Sequence, residues 1–544
     1  MSLDLPSPPT RVDLASHACD TCRQRKVKCK APRVPAGVSP PKCGRCDRLN
    51  LPCTFLSPSR TRGPKRRTRG AEPAASPGAT TTITTNKHPT DELWDRSLFG
   101  VIMQDYLDYI YPLVPIVHRP SFRQALRENR DRDDQGFRAL VIAIAAVVVA
   151  TMPTRFQVYQ SYNPPLQFAS RREMARCCYD RIMGLRDSTY FDQISFQKFA
   201  ISYLLYATFR QLGDHNTSRM LDVEATQIAR LLNLHRISEY EGLNCIETQL
   251  RKKGFWLILY GFVHNQLQNV LGERLSYLDP ILLHSINPED LMPLEVDDEM
   301  IFENEVVMSP SPTPCLATGF ILHSRVFWAA LRSPCVETPV EPCPCVRARD
   351  PAIQVAYLQD RLQSLRYLLE HIPQPLRPWR PTDETLDDAT GDGTMTQELR
   401  SHFASMRANL HVTHLWLQSL LIDQLEAAQS HLQGLSVVAD SYPQTTTDSK
   451  ALWLVREKLC RQLLFVLYSL PLVNLEANGL HLACKVRDIA ASLLACPFHP
   501  DDPEAQRAAE YLQQSTDILS RLDSSESMST MHLQTWVDTD RMKK

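Results

Sequence analysis

The sequence has no apolar run long enough to cross a bilayer. The longest, Ala139 to Met152, spans 14 of the 544 residues, short of the roughly 18 to 20 that a spanning helix needs, and it is predicted to be a buried core helix. The first ten residues, rich in Pro and Ser, lack the basic flank and apolar centre of a secretory signal, so a chain kept in a reducing compartment is expected. Glycine is scarce at 18 residues, and alternating apolar and polar positions are rare, which argues against a β-rich fold. Apolar residues make up 43% and charged residues 22%, a balance that excludes wholesale disorder. The chain also contains no H-E-x-x-H, G-x-S-x-G, G-x-G-x-x-G, phosphate-loop or EF-hand pattern. An enzymatic reading therefore has no residues to stand on.

What is present is uneven in charge. The formal charge of −1 conceals 16 Lys and Arg against 4 Asp and Glu in residues 1–70, a net of +12, and 44 against 57 in the remainder, a net of −13. One small basic unit is fused to a large, mildly acidic one.

Six of the 16 cysteines lie within 35 residues of that basic unit: Cys19, Cys22, Cys29, Cys43, Cys46 and Cys53. They form two C-x2-C-x6-C triplets with identical internal offsets. Clustered thiols in a reducing compartment bind metal more often than they pair as disulfides. Two tetrahedral zinc ions offer eight ligand positions, and six thiolates fill them if two bridge; the symmetric choice is Cys19 and Cys43. A one-zinc site built from Cys19, Cys22, Cys43 and Cys46 is the rival, and it leaves Cys29 and Cys53 without a role. Between Cys22 and Cys29 stand Arg23, Arg25, Lys26 and Lys28. Cations pinned between metal ligands on a short helix suit phosphates, and a helix in the major groove can present Lys or Arg to guanine O6 and N7.

The run from Cys19 through Cys29, then Pro41-Lys42-Cys43-Gly44-Arg45-Cys46 and Cys53, resembles the binuclear zinc-cluster DNA-binding domain of fungal transcription factors. The resemblance implies that Lys26 reads a CGG triplet with Arg25 beside it, that Arg23 and Lys28 approach phosphates, and that Pro41 is the loop proline, often cis. The loop from Lys30 to Lys42 is longer than in many members. After the cluster come Arg60, Arg62, Lys65, Arg66, Arg67 and Arg69, read as a nuclear localisation signal and an arm along the DNA backbone. The Arg-Gly-Pro-Lys within it is similar to the maltose-type sugar regulators of the family.

Residues 71–90 are a flexible linker by composition, and no heptad repeat follows the cluster, so monomeric binding and pairing through the large domain both stay open. From Glu92 to about Ala495 helical periodicity dominates, with loops expected at Ser309 to Pro314, Ser333 to Pro351, Pro381 to Thr396 and Asp440 to Ser449. Three segments, Tyr109 to Phe122, Ala225 to Arg236 and Arg251 to Trp256, resemble landmarks of the fungal-specific transcription factor domain, or middle homology region. Gly272-Glu273-Arg274-Leu275 departs from the Gly-Arg-Pro usual there. His118 and His235 lack any neighbouring ligand or nucleophile motif and are read as structural hydrogen-bonding groups. Cys335, Cys343 and Cys345 fall in a Pro-rich loop and are read as non-functional thiols, and Cys177, Cys178, Cys245, Cys315, Cys460, Cys484 and Cys496 as core or incidental ones.

The expected architecture is mostly α: a disordered start (1–13), a two-zinc module with two short helices (14–56), a basic Pro/Thr-rich linker (57–91), a large all-α regulatory domain (92–497), and a C-terminal helix and tail (498–544) whose Gln534 to Asp540 mixes acid with an aromatic as activation segments do. The expected function is a nuclear, zinc-dependent regulator of RNA polymerase II transcription that binds CGG-containing double-stranded DNA and contacts the transcription machinery or coactivators, with no membrane. A pathway-specific activator of carbon use or secondary metabolism is the first reading. A repressor, or a zinc-dependent scaffold for RNA or acidic partners, is the alternative.

Overall fold

The computed structural model describes residues 19–25, 27–29, 42–54, 93–268, 278, 280–308, 314–331, 351–378, 397–436 and 445–522. The chain divides into two compact units, Met1–Thr84 and Thr85–Lys544. Among the described residues both are helical, and the nearest approach to sheet is one isolated bridge between Ile301 and Val306.

The first unit holds two five-residue helices, α1 (Asp20–Gln24) and α2 (Gly44–Arg48). The second begins with α3 (Arg96–Asp105), whose N-terminus Asp95 caps by accepting from Ser97 N at 2.8 Å. The predicted helix through Tyr109 is present but changes form: Tyr106–Ile110 is a π-turn, closed by Tyr111 N donating to Tyr106 O at 2.7 Å. Next come α4 (Arg119–Arg127) and α5 (Gln135–Thr151). The apolar run predicted as a core helix forms most of α5, with Ala139 through Thr151 all buried, the pattern of a helix surrounded by protein. It stops before Pro153, which opens α6 (Pro153–Gln160). No single described helix is long and apolar enough to cross a membrane.

Around α5 pack α7 (Arg171–Leu185) and α8 (Phe196–Gln211), and α8 returns as an antiparallel pair with α9 (His215–Leu231). Gly213, at φ 71, makes the turn between them. Then follow α10 (Cys245–Gln268), α11 (Pro280–Ser285), α12 (Leu316–Leu331) and α13 (Pro351–Tyr367). The centre of the second half is α14 (Gln397–Ser436), forty residues long, against which α12, α13, α15 (Thr445–Tyr468), α16 (Leu472–Glu476) and α17 (Gly479–Ala491) all pack. The last helix, α18 (Pro503–Leu522), lies on α15 and α17. Of the expected loops, Pro351 instead opens α13, as proline at a first helical position can, and α15 starts at Thr445, because the buried face of Trp453, Leu459, Cys460 and Leu463 carries the helix upstream. The other expected loop residues except Pro314, the Gly272 turn, the 57–91 linker and the Gln534 to Asp540 segment lie outside the described residues.

Because the middle of α14 is buried nearly all round, its polar side chains need partners. The ring N–H of His411 donates to Leu376 O and that of His414 to Leu365 O, each at 2.7 Å, while Thr413 Oγ1 accepts from Lys485 Nζ at 2.7 Å.

The three landmark segments converge. Asp298 accepts from Lys253 Nζ (2.8 Å), from the Tyr111 hydroxyl and from Arg119 N (2.9 Å), and its carbonyl accepts from His118 Nε2 at 2.8 Å. Burial by itself raises the Asp298 carboxyl, but Lys253 and these hydrogen bonds bring it down to about 2. One residue on, Gly254 sits so close to Phe196, Phe199 and Leu234 that a Cβ there would lie 2.7 Å from the Phe196 ring. The second landmark thus meets the third at Leu234, and the third meets the first through Asp298. His118 is a structural group of this joint, held also by Ser121 Oγ at 2.8 Å.

Candidate metal centre and nucleic-acid interface

Each triplet builds the same local structure, because each first cysteine stands before a helix and each third cysteine folds back onto it. Cys19 precedes α1 and Cys43 precedes α2, both in extended backbone. Cys19 N donates to Cys29 Sγ (3.5 Å), and Cys43 N to Cys53 Sγ (3.3 Å), ten residues on in both cases. Val27 N caps Cys22 O at 3.1 Å, and Leu51 N caps Cys46 O at 2.8 Å. The two halves repeat at an offset of 24 residues. They are stapled by Asp20 N donating to Thr54 O (2.8 Å) and Thr54 Oγ1 donating to Asp20 Oδ2 (2.9 Å).

The repeat brings the thiols of both halves together. Cys19 Sγ lies 3.8 Å from Cys43 Sγ and 3.7 Å from Cys46 Sγ, and Cys22 Sγ lies 3.7 Å from Cys43 Sγ. Tetrahedral zinc with Zn–S bonds of about 2.3 Å spaces its sulfurs about 3.8 Å apart, so these separations fit the metal. The six Sγ atoms fall into two sets of four, each within 4.8 Å: Cys19, Cys22, Cys29 and Cys43, and Cys19, Cys43, Cys46 and Cys53. Both sets contain Cys19 and Cys43. Five of the six cysteines are buried, and among the described residues only Val27 and Leu51 add further apolar cover. Burial drives the Cys22 and Cys46 thiols up, Cys46 to about 12; at Cys43 it is outweighed by the N–H of Cys46, which brings that thiol down to about 6. So many crowded thiols cannot ionise together without a cation among them.

Arg23, Arg25 and Lys28 are exposed around α1, while Lys26, Pro41 and the run Arg60, Arg62, Lys65, Arg66, Arg67 and Arg69 lie outside the described residues. The second half adds exposed Lys42, Arg45 and Arg48, which the sequence reading did not single out although they flank the second C-x2-C. The halves differ in charge at equivalent positions: Arg23 corresponds to Asp47, Arg25 to Leu49, Lys28 to Pro52. The halves repeat in backbone but not in charge: between the second and third cysteines the first carries Arg23, Arg25, Lys26 and Lys28 and the second only Arg48. Of the remaining thiols, Cys178, Cys315 and Cys460 are buried, Cys177, Cys245, Cys484 and Cys496 are half-buried, and none is in a disulfide; Cys335, Cys343 and Cys345 lie outside the described residues.

Residues 17–63 match the family model of the fungal Zn(2)-Cys(6) binuclear cluster domain. The chain is also similar to the maltose fermentation regulatory protein MAL13 of Saccharomyces cerevisiae, 25% identical over 259 residues that make up 46% of this chain and 50% of that protein. The corresponding figures for MAL63, from the same species, are 26% over 258 residues, 45% and 50%. The depudecin biosynthesis cluster-specific transcription activator DEP6 of Alternaria brassicicola is 49% identical over 41 residues, 8% of this chain and 5% of that protein. The chain spans about half the length of the maltose regulators it matches. No solved structure matches it. The cysteine module is a Zn(2)-Cys(6) binuclear cluster domain, and its cofactor is a pair of zinc ions.

Proposed function

We propose that this protein is a nuclear, sequence-specific DNA-binding regulator of transcription that reads CGG-type sites through the zinc cluster, most simply an activator of carbon use like the maltose regulators it resembles. The observation that carries this reading is the six-thiol cluster with Arg23, Arg25 and Lys28 exposed around α1. Bound zinc supplies the cross-link that so small a core cannot supply from apolar packing. Cys19 and Cys43 serve both ions, Cys22 and Cys29 one, and Cys46 and Cys53 the other. In this reading the module presents its cations to the duplex, Lys26 and Arg25 at guanine edges and Arg23 and Lys28 at phosphates, the roles that the family resemblance implies. The basic run from Arg60 to Arg69 adds backbone contact and nuclear import.

The large unit is the regulatory domain in this reading, a middle homology region. Support comes from the way its three landmark segments meet around Asp298 and Gly254, and from a net charge of −13 beyond residue 70, which disfavours direct contact with DNA.

Gel retardation by the zinc-loaded full chain tests the reading. A CGG-containing duplex should be retained against excess scrambled duplex and against RNA of equal length. Equal competition by RNA points instead to a scaffold for RNA or acidic partners and ends the transcription-factor reading.

A further inference from the structure

Between the segment that follows α13, from Leu369 to Pro378, and α15, above the middle of α14, lies a cavity of about 1110 Å³. This is just above the roughly 300 to 1,000 Å³ usual for small-molecule sites. Its floor is the α14 face bearing His411, His414, Leu415 and Gln418, all buried. The imidazoles spend their Nε2 atoms on backbone carbonyls, and Gln418 Nε2 reaches His414 Nδ1 at 3.2 Å. The floor is therefore uncharged and hydrogen-bonded within itself, and burial keeps both histidines neutral by lowering their proton affinity. Leu369, Ile372, Val455, Leu459 and the half-exposed Phe465 make apolar walls.

The mouth is different. Arg366, Arg377, Lys458 and Arg461 line it against one acid, Glu370. This four-to-one excess runs against the acidic balance of the surrounding chain, −13 beyond residue 70. Among the described residues Arg366 and Lys458 form no ion pair. A second cavity, of about 450 Å³, offers a contrast: its cations are committed, Arg186 to Glu224 at 2.7 and 2.9 Å and Lys198 to the carbonyls of Tyr190 and Gln193.

We propose that the larger cavity binds a small amphipathic organic anion: an apolar body seated between α15 and the wall that Leu369 and Ile372 make after α13, with a carboxylate or comparable anionic group held at the mouth by Lys458, Arg461 and Arg366. Concave apolar walls exclude water from the body, and clustered cations around a cleft focus field on the anion. The inference stands apart from the DNA reading, since binding is measured without DNA.

The test uses the full chain with the fluorescent anion anilinonaphthalene sulfonate and its neutral analogue N-phenylnaphthylamine. The sulfonate should bind at one site and be displaced by decanoate, which has an apolar body, but not by glucose 6-phosphate, which lacks one. Reversing two charges together, Lys458→Glu with Arg461→Glu, should weaken the sulfonate by about tenfold or more, the scale of a lost charge-assisted contact, and leave the neutral probe unchanged. Gln462→Trp, at an exposed lining position, should block both probes while keeping every cation. Unchanged sulfonate affinity in the charge-reversed protein, equal affinity for the neutral probe in the wild type, or displacement by glucose 6-phosphate as good as by decanoate would overturn the proposal.

Discussion

Lys253 Nζ and Asp298 Oδ1 lie 2.8 Å apart with side chains only 7% and 3% exposed, and this ion pair joins α10 to the segment that also anchors Tyr111, His118 and Arg119. Removing one partner of a buried pair leaves the other charge uncompensated, at a cost of about 3 to 5 kcal/mol. Lys253→Met should therefore lower the stability of the large unit by that order in urea unfolding followed by tryptophan fluorescence. Adding Asp298→Asn, which keeps an acceptor for Tyr111 and Arg119 N, should recover part of the loss. Because the Asp298 carboxyl is held below its unfolded value, its contribution is present above about pH 4 and is lost as pH falls toward about 2. A single-variant loss under about 1 kcal/mol would mean that the pair is not the tie described.

A second prediction concerns Lys485, which is 2% exposed and bonded to Thr413 Oγ1. Its surroundings are the Phe327 and Trp416 rings, Cys484, the buried His264 and His323 and the half-buried His481, and among the described residues no carboxylate acts on its ammonium. Burial pushes its proton affinity down to about 7. Between that value and about 10.4 the unfolded chain holds a proton that the folded chain lacks, so stability rises with pH across the window, by up to about 1.4 kcal/mol per pH unit. The three histidines, pushed well below 6.5 by burial, remove stability as pH falls below about 6.5. Melting temperatures should rise from about pH 6 to about pH 8, above which unfolded cysteines lose protons that the buried Cys178 and Cys460 keep, and Lys485→Met should flatten the rise above about pH 7. Parallel curves for the two proteins would refute a lysine buried in this way.

Metal removal should act on one unit alone. Because Cys19 and Cys43 belong to both four-thiol sets, Cys19→Ser or Cys43→Ser should lose both zinc ions in native mass spectrometry, whereas Cys29→Ser or Cys53→Ser should lose one. Chelation should expose all six thiols to alkylation while α3 to α18 keep their circular dichroism. One zinc per wild-type chain, with Cys29 and Cys53 alkylated freely, would establish the rival four-ligand site.

Legibility in the sequence followed the range of the interactions. The matched C-x2-C-x6-C offsets were enough for the metal set, since every ligand lies within 35 residues and the spacing itself is the geometry. The α5 core helix was readable because a continuous apolar run leaves no solvent face. Asp298 was not: within Val296-Asp297-Asp298-Glu299 it looks like a solvated acidic run, and its partners stand 45 to 187 positions away. Lys485 was equally silent, because a lysine at that point of an amphipathic helix ordinarily reaches water, and it is the packing of α17 against α14 and α12 that encloses it. The cavity above α14 depends on the separation of α15 from the segment that follows α13, which no local pattern records.

The last prediction separates reading from holding. Between its second and third cysteines the first half carries Arg23, Arg25, Lys26 and Lys28 and the second only Arg48, so DNA contact should be lopsided as well. If Lys26 is the base reader, Lys26→Ala should shrink the preference for a CGG duplex over a scrambled one by about 1 to 3 kcal/mol, leaving residual binding indifferent to sequence. Lys28→Ala and Arg23→Ala remove phosphate partners instead. Each should weaken both duplexes alike and reduce the slope of log affinity against log salt by about 0.9 in magnitude. Charge added to the other half gives a control: Asp47→Arg should steepen the salt slope without creating a preference, since that half lacks the run of cations between its second and third cysteines. Titrations of these four proteins on both duplexes across a salt series decide the matter. If Lys26→Ala kept its full preference while Lys28→Ala lost it, the roles of the two lysines would be exchanged.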